Sequence, residues 1–399
     1  MMKKIDKIYD LIIVGSGIVG LSTAYEYSKA NPNRSILVID KESEVAKHQT
    51  GNNSGVLHSG IYYNPGSLKA QNCKKGYELM VNFAKENNIS FDICGKLIVA
   101  SNKNELEVLN NIFENGKKNG LKGLTYLNPS QIIEKEPYCR GIAAVHVPQT
   151  GIINYKQICK VLFKLLNNSG TDVKFNQELI DLRETNPITV ITKSDIFYSK
   201  AIVNCAGLHS DRVFRMTKKN SEYRIIPFRG EYYRLIDKKF VKNLIYPVPN
   251  PSFPFLGVHF TRTIDEEIEA GPNAVLAFKR EGYKFWDFNF NDSKETFIWP
   301  GFWKLAFKYG YVGLGEIYRS LSKKAFTKAL QKLIPEINES NLISSGSGVR
   351  AQVCDKNGNL VDDFIIEKTQ NKIINVINAP SPAATSSFSI AQEIIKNLN

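Results

Sequence analysis

The stretch from Tyr9 to Asp40 constrains this chain more than any other. Tyr9-Asp10-Leu11-Ile12-Ile13-Val14 is a short apolar run rich in β-branched residues, the composition of a strand buried on both faces. It runs into Gly15-Ser16-Gly17-Ile18-Val19-Gly20. Leu21 to Ala30 then has the composition of a helix, and Ser35 to Ile39 reads as a second strand closed by Asp40 and followed by Lys41. In such a unit Gly15 allows the tight turn, Gly17 lets the backbone approach a pyrophosphate, and Gly20 lets the helix pack close to the sheet. The helix N-terminus at Ile18 offers N–H groups and a positive dipole end to phosphates. Asp40 lies about twenty positions beyond Gly20, where a carboxylate meets ribose hydroxyls. The sequence therefore predicts a dinucleotide site in an α/β fold built on a Rossmann-like parallel sheet.

With 399 residues the chain exceeds the usual size of one core, so two domains are expected. Its apolar runs are too short to span a bilayer. The apolar residues after Met1-Met2-Lys3-Lys4 are spent on the nucleotide strand and turn, so a secretory leader is not expected. Six cysteines are scattered without a CxxC pair, which predicts neither a metal centre nor a disulfide frame and suits a reducing, cytoplasmic setting. The net charge of +13 invites an anionic partner, but the lysines form no run or basic groove motif, so a nucleic-acid partner is not expected.

Further along, Gln49 to Gly60 is polar and glycine-bearing, placed just after the second nucleotide strand to carry backbone N–H groups toward a cofactor. Ser67 to Asn88 reads as a helix, Gly95 to Ala100 as a strand, Glu105 to Gly116 as a helix and Ala143 to Val147 as a strand. Gly151 to Asn154 is expected to open a helix running to about Leu166, and Thr171 to Phe175 and Thr189 to Thr192 to be strands. Ala201 to Gly207 reads as a buried strand whose small terminal residues, Cys205-Ala206-Gly207, let a ligand approach at the carboxyl edge of the sheet. From Arg224 to about Ser340 the strands Glu231 to Leu235 and Gly257 to Arg262 suggest a mostly antiparallel sheet, with proline-rich turns such as Pro247 to Pro254. Phe285 to Tyr318 is aromatic with interspersed lysines and holds all three tryptophans. The chain then returns to strand, turn and helix from Ile373 onward. The expected division is a discontinuous nucleotide domain of residues 1–90, 150–222 and 345–399, with an α+β substrate domain of residues 91–149 and 223–344 inserted into it.

These stretches carry a resemblance. His48-Gln49-Thr50-Gly51, Asn53 to Tyr63, Asn204 to Asp211, Pro227 to Arg234 and Asn378 to Pro382 occur in an order that resembles the D-amino-acid-oxidase-like FAD-dependent oxidoreductases, and among them the bacterial branch that oxidises L-2-hydroxyglutarate. The resemblance spans nearly the whole chain and implies FAD rather than NAD, with an L-2-hydroxy acid as substrate. Malate, glycerol 3-phosphate and amino acids are the alternatives, and a flavin-bearing nucleic-acid-binding protein is a remote one. Asn52 stands where that branch has histidine, which rules out a covalent flavin link there, and Ala351 stands where the wider superfamily has proline. The implied cofactor contacts are Gly15, Gly17, Ile18, Gly20, Asp40, Lys41, Thr50, Gly51, Ser54, Gly55, Cys205, Ala206, Gly207, Pro382, Ala383 and Thr385. Ser381 to Thr385 is expected to aim a helix N-terminus at the flavin pyrimidine.

Oxidising a 2-hydroxy acid needs flavin N5 for the hydride, a base for the hydroxyl proton and cations for the carboxylates. Of five histidines, His58 and His259 are the candidates for the base, His58 being the favoured one; His48, His146 and His209 are expected to be structural or to line the cofactor. Arg350, between two upstream glycines and the last nucleotide-domain strand, is the favoured carboxylate ligand. Arg229, Arg262, Lys279 and Arg280 are further cations, and Tyr63, Tyr232 and Tyr233 are neutral donors. The electron acceptor is expected to be a membrane quinone or oxygen. The aromatic-basic stretch from Trp299 to Lys324 is the candidate for peripheral contact with the cytoplasmic face of the inner membrane.

Overall fold

Leu11–Val14 forms a strand near the middle of a six-stranded sheet, in a computed structural model that describes residues 7–250, 255–369 and 372–398. Ile36–Ile39 and Ile202–Asn204 flank it in parallel. Asp172–Lys174 and Ile373–Asn378 extend the parallel set, and Ile365–Thr369 closes one edge antiparallel. The alternation of the pleat explains why the nucleotide strands are apolar throughout. Leu11, Ile13, Ile36 and Val38 face a core filled by helices Ile18–Ala30, Leu68–Glu86, Tyr155–Asn168 and Ser387–Leu398. Ile12, Val14, Leu37 and Ile39 face Leu182, Ile188, Val190 and Phe197 of a separate four-stranded sheet.

A nine-stranded sheet forms the second body of structure. Its spine is the long antiparallel pair Tyr223–Leu235 and Leu342–Asp355. Lys96–Ala100 and Leu244–Pro247 run parallel to each other; the other pairings in this sheet are antiparallel. A fourth, three-stranded sheet joins Val56–Leu57, Gly151–Ile153 and Phe91–Asp92 between these bodies.

Several local expectations change. Gly151–Ile153 is a strand, and Asn154 caps the helix that follows by accepting from the Gln157 N–H at 3.0 Å. The strand expected to reach Gly207 ends at Asn204, because the Asn204 side chain turns the chain by accepting from Ala206 N at 3.1 Å and donating to Ser210 O at 2.9 Å. Gly346 to Arg350 lies within the strand Leu342–Asp355, so the expected seam at 345 falls inside that strand. The closing helix begins at Ser387, well after Ser381, so Ser381 to Thr385 is a turn ahead of the helix rather than its first turn. Within Pro247 to Pro254, residues 251–254 lie outside the described residues. Among the described residues no helix is long and apolar enough to cross a membrane.

Candidate active site

The glycine turn is built by exclusion. Gly15 has φ +106°, and a Cβ there would lie 2.4 Å from the Cys205 carbonyl oxygen; one on Gly20 would lie 2.0 Å from the Gly15 oxygen. Turn, helix and strand Ile202–Asn204 therefore interlock only through glycine. At Gly17 a Cβ would meet nothing nearer than Thr50 Oγ1 at 3.4 Å, so that glycine leaves backbone open to the cleft instead of closing a contact. Thr50 Oγ1 accepts from Ile18 N at 3.1 Å and ties the polar loop to the helix start. Asp40 accepts from Ser16 N at 2.6 Å, Ser16 Oγ at 2.7 Å and Glu42 N at 2.9 Å, so its carboxylate fixes the turn it borders.

A cleft of about 1110 Å³ starts at this turn, passes Cys205, Ala206 and Gly207, and reaches Ala379 to Ala384, His58, His259 and Arg350. That exceeds the usual volume of a small-ligand pocket and suits a dinucleotide plus a substrate. The open backbone at Gly17, the helix start behind it and the length of the cleft fit a flavin dinucleotide. Gly15, Gly17, Ile18, Asp40, Lys41, Thr50, Ser54, Cys205, Ala206, Gly207, Pro382 and Ala383 line it. Gly20, Gly51, Gly55 and Thr385 do not. Gly51 packs its backbone on Ala46, Gly55 on Ile153, and Thr385 Oγ1 is shared by Tyr155 Oη at 2.7 Å and His58 N at 3.1 Å. These four shape the wall from behind.

The far end of the cleft holds the chemistry. His259 Nδ1 donates to the Gly257 carbonyl at 2.9 Å, which leaves Nε2 as an acceptor. Its ring stacks on Tyr246 with centroids 3.9 Å apart. His58 Nε2 lies 3.2 Å from Ser381 Oγ. Burial pulls both imidazoles down to about 3; Lys96, the neighbouring His259 and Lys69 add to the effect at His58, and Arg350 and Lys96 add to it at His259. Arg350 faces Phe255 and has no carboxylate partner among the described residues. Burial lowers its pKa, against the partial compensation of Tyr232, Glu316 and Tyr246. Tyr63 and Tyr232 also line the cleft.

Other candidate cations are spent elsewhere. Arg229 donates to the Lys284 carbonyl at 2.6 Å and Glu231 at 2.9 Å, Arg262 pairs with Asp92, and Arg280 is buried against Asp211 at 2.5 Å. Lys279 does not reach the cleft, and Tyr233 packs on Phe326 in the core of the nine-stranded sheet. Each was a plausible donor by residue type; the three arginines have nearer partners, and Lys279 and Tyr233 lie outside the cleft. His48 and His209 line the cofactor end, where Lys41 bridges Glu42 at 2.6 Å and Glu281 at 2.8 Å; His146 lies outside the cleft. Burial opposes ionisation of Glu281, yet hydrogen bonds from His209 and Lys41 hold its carboxyl down at about 2. Lys41 already supplies the counter-charge at this carboxylate cluster.

One residue was missed. Lys96, in a strand whose five residues are all buried, is 1% exposed, with Nζ 4.4 Å from the Tyr62 ring centroid and 4.8 Å from that of Tyr246. The signal was present in Cys94-Gly95-Lys96-Leu97-Ile98-Val99-Ala100: a lysine inside an apolar strand is almost never buried unless something holds it.

Residues 10–396 match the family described as FAD dependent oxidoreductase, DAO. The chain is 53% identical to the L-2-hydroxyglutarate dehydrogenase of Indibacter alkaliphilus, covering 96% of both chains. It is 40% identical to that of Escherichia coli, covering 98% of this chain and 93% of the relative. Among solved structures, the dithionite-reduced L-alpha-glycerophosphate oxidase of Mycoplasma pneumoniae with FAD bound shares the fold at TM-score 0.80 and 22% identity, over 98% of this chain and 95% of the other. The interlocked glycine turn, the long cleft and the match along almost the entire sequence agree, and the chain belongs to the DAO family of FAD dependent oxidoreductases.

Proposed function

We propose that this protein oxidises L-2-hydroxyglutarate to 2-oxoglutarate. The observation that carries the reading is the Arg350 guanidinium, with no carboxylate partner among the described residues, in the same end of a flavin-sized cleft as the imidazoles of His58 and His259, in a chain 40% to 53% identical to L-2-hydroxyglutarate dehydrogenases. The chemistry that FAD would supply when bound is an acceptor for the hydride leaving the substrate Cα. Arg350 holds the carboxylate next to the reacting carbon, for which its planar fork is suited. His259 accepts the hydroxyl proton at Nε2, the nitrogen its Gly257 hydrogen bond leaves available, and Tyr232 and Tyr63 border the substrate. Gly15, Gly17, Ile18 and Asp40 with Thr50, Ser54 and the Cys205 to Gly207 turn hold the cofactor. This reading divides the chain into an FAD-binding part of residues 1–90, 150–222 and 345–399 and a substrate part of residues 91–149 and 223–344, with one seam inside the strand Leu342–Asp355. Purified protein with an artificial electron acceptor is expected to form 2-oxoglutarate from the L and not the D enantiomer; turnover of malate or glycerol 3-phosphate in preference to it would overturn the assignment.

The electrons leave at a membrane surface, by a quinone. Support comes from helix Pro300–Leu321, which buries Phe302 and Leu305 and turns Trp303, Phe307, Tyr311, Leu314, Tyr318 and Leu321 outward along one stripe. Phe307 is 97% and Tyr311 92% exposed, and Lys304 and Lys308 lie beside them. A stripe of apolar and aromatic side chains with basic neighbours suits the interface of an anionic bilayer.

A further inference from the structure

Two buried cations at the far end, Arg350 on the cleft wall and Lys96 against the wall residues Tyr62 and Tyr246, lack a carboxylate partner among the described residues. Lys41 is paired with Glu42 and Glu281, Lys47 with Glu44, Lys69 with Asp362 at 2.6 Å, and Arg212 with Asp292 and Glu295. Among the described residues, Arg350 and Lys96 pair with no carboxylate. An unpaired buried cation is costly in a folded chain, and its retention marks a place where an anion arrives from outside.

The sheet fixes where Lys96 sits. Strands Lys96–Ala100, Leu244–Pro247 and His259–Arg262 are consecutive neighbours, with Lys96 beside Leu244 and Ile98 beside Tyr246. Lys96 and Ile98 share one face of the sheet, so the Lys96 ammonium reaches the Tyr246 ring, whose own face carries His259. Tyr62 lies over the same ammonium, and its hydroxyl is buried without a hydrogen-bond partner. Tyr62, Tyr246 and His259 all line the cleft. The orphaned Tyr62 hydroxyl thus belongs to the wall that also holds His259, and the Lys96 ammonium is a donor directly against that wall, at the Tyr62 and Tyr246 rings.

We propose that Lys96, with the Tyr62 hydroxyl, receives the second carboxylate of the substrate, the one remote from the reacting carbon, and so sets a preference for dicarboxylates over monocarboxylates. The inference rests on reading the site as one for L-2-hydroxyglutarate. Arg350 and Lys96 then neutralise the two ends of one dianion. The groups facing Lys96 are Tyr62, Tyr246, His58, His259 and Cys73. Burial holds the Lys96 ammonium down at about 7, with a small opposing pull from Cys73, so an arriving carboxylate also favours its protonated form.

The test compares wild type, Lys96→Met and Lys96→Arg as FAD-loaded proteins. Glutarate binding is measured by calorimetry, and anaerobic flavin reduction is followed with L-2-hydroxyglutarate and with L-2-hydroxyvalerate, which lacks the remote carboxylate. Lys96→Met is expected to weaken glutarate binding and raise the half-saturating L-2-hydroxyglutarate concentration roughly 100-fold, while L-2-hydroxyvalerate changes less than about 3-fold. Lys96→Arg is expected to recover most of the glutarate affinity. Unchanged glutarate binding in Lys96→Met, or equal losses for both hydroxy acids, would overturn the inference alone. A wild-type protein that L-2-hydroxyglutarate does not reduce would overturn the reading of the site and this inference with it.

Discussion

Lys96 titrates in a range that makes its state measurable. In the folded chain it loses its proton near 7, and unfolded near its ordinary 10.5. Between those values the unfolded chain holds more protons, so Lys96 makes stability rise with pH there, and its burial costs most below pH 7. Lys96→Met is expected to raise the Tm of the substrate-free protein at pH 6.5 and to flatten that rise; a lower Tm would show that the ammonium is held by packing it stabilises. Substrate binding shows the opposite dependence, because the charged form receives the carboxylate: kcat/KM should fall as pH rises through about 7 in wild type and stay level in Lys96→Arg. Both imidazoles, near 3, stay neutral throughout this window and contribute no limb. At this scale the sequence was an uneven guide. His58, His259 and Arg350 could be singled out from residue type and position, and all three line the cleft, but type alone does not distinguish a paired arginine from an unpaired one. The Glu231 that occupies Arg229 is two residues away on the same strand and could have been read; Asp92 and Asp211, the partners of Arg262 and Arg280, are far off in sequence and could not.

Among elements, the strand, glycine turn and helix at the N-terminal end were legible because their spacing answers to backbone geometry alone. Gly151–Ile153 was not, since its strand exists only through long-range pairing with Val56–Leu57 and Phe91–Asp92. The helix Pro300–Leu321 was legible as aromatic and basic, but which side faces outward depends on the few residues that pack inward. Its stripe is testable as a unit: the Phe307→Glu, Tyr311→Glu double variant is expected to lose cosedimentation with anionic liposomes while keeping its flavin spectrum. Undiminished binding would remove the membrane face. The helix Ser210–Thr217 offers a second element-scale test, because Asp211 accepts from both Arg280 Nη1 at 2.5 Å and Nη2 at 3.0 Å, and from Ile225 N at 3.1 Å, with no exposure. Asp211→Asn leaves the buried guanidinium with Glu295, at 3.1 Å, as its remaining paired carboxylate and should cost about 3 kcal/mol of stability. Adding Arg280→Met should restore part of that loss; a double variant weaker than the sum of the singles would contradict the pairing.

The whole molecule brings two sheets to one cleft. The parallel sheet presents its carboxyl ends at Val14, Ile39 and Asn204, where ligands of such sheets bind, and the nine-stranded sheet closes the far end with Tyr246, His259 and Arg350, with Lys96 buried against the Tyr246 ring. Charge is arranged along that cleft: Lys41 at the cofactor end is matched by Glu42 and Glu281 and Lys69 near His58 by Asp362, whereas Arg350 and Lys96 pair with no carboxylate among the described residues. On the proposed reading, this unmatched charge selects an anionic substrate. The most direct measurement is anaerobic mixing of the FAD-loaded protein with L-2-hydroxyglutarate, D-2-hydroxyglutarate, L-malate and glycerol 3-phosphate in turn, following the flavin absorbance band. Bleaching by L-2-hydroxyglutarate, with little or none by the other three, is the expected result; a flavin band bleached by another of these compounds and not by L-2-hydroxyglutarate would contradict it.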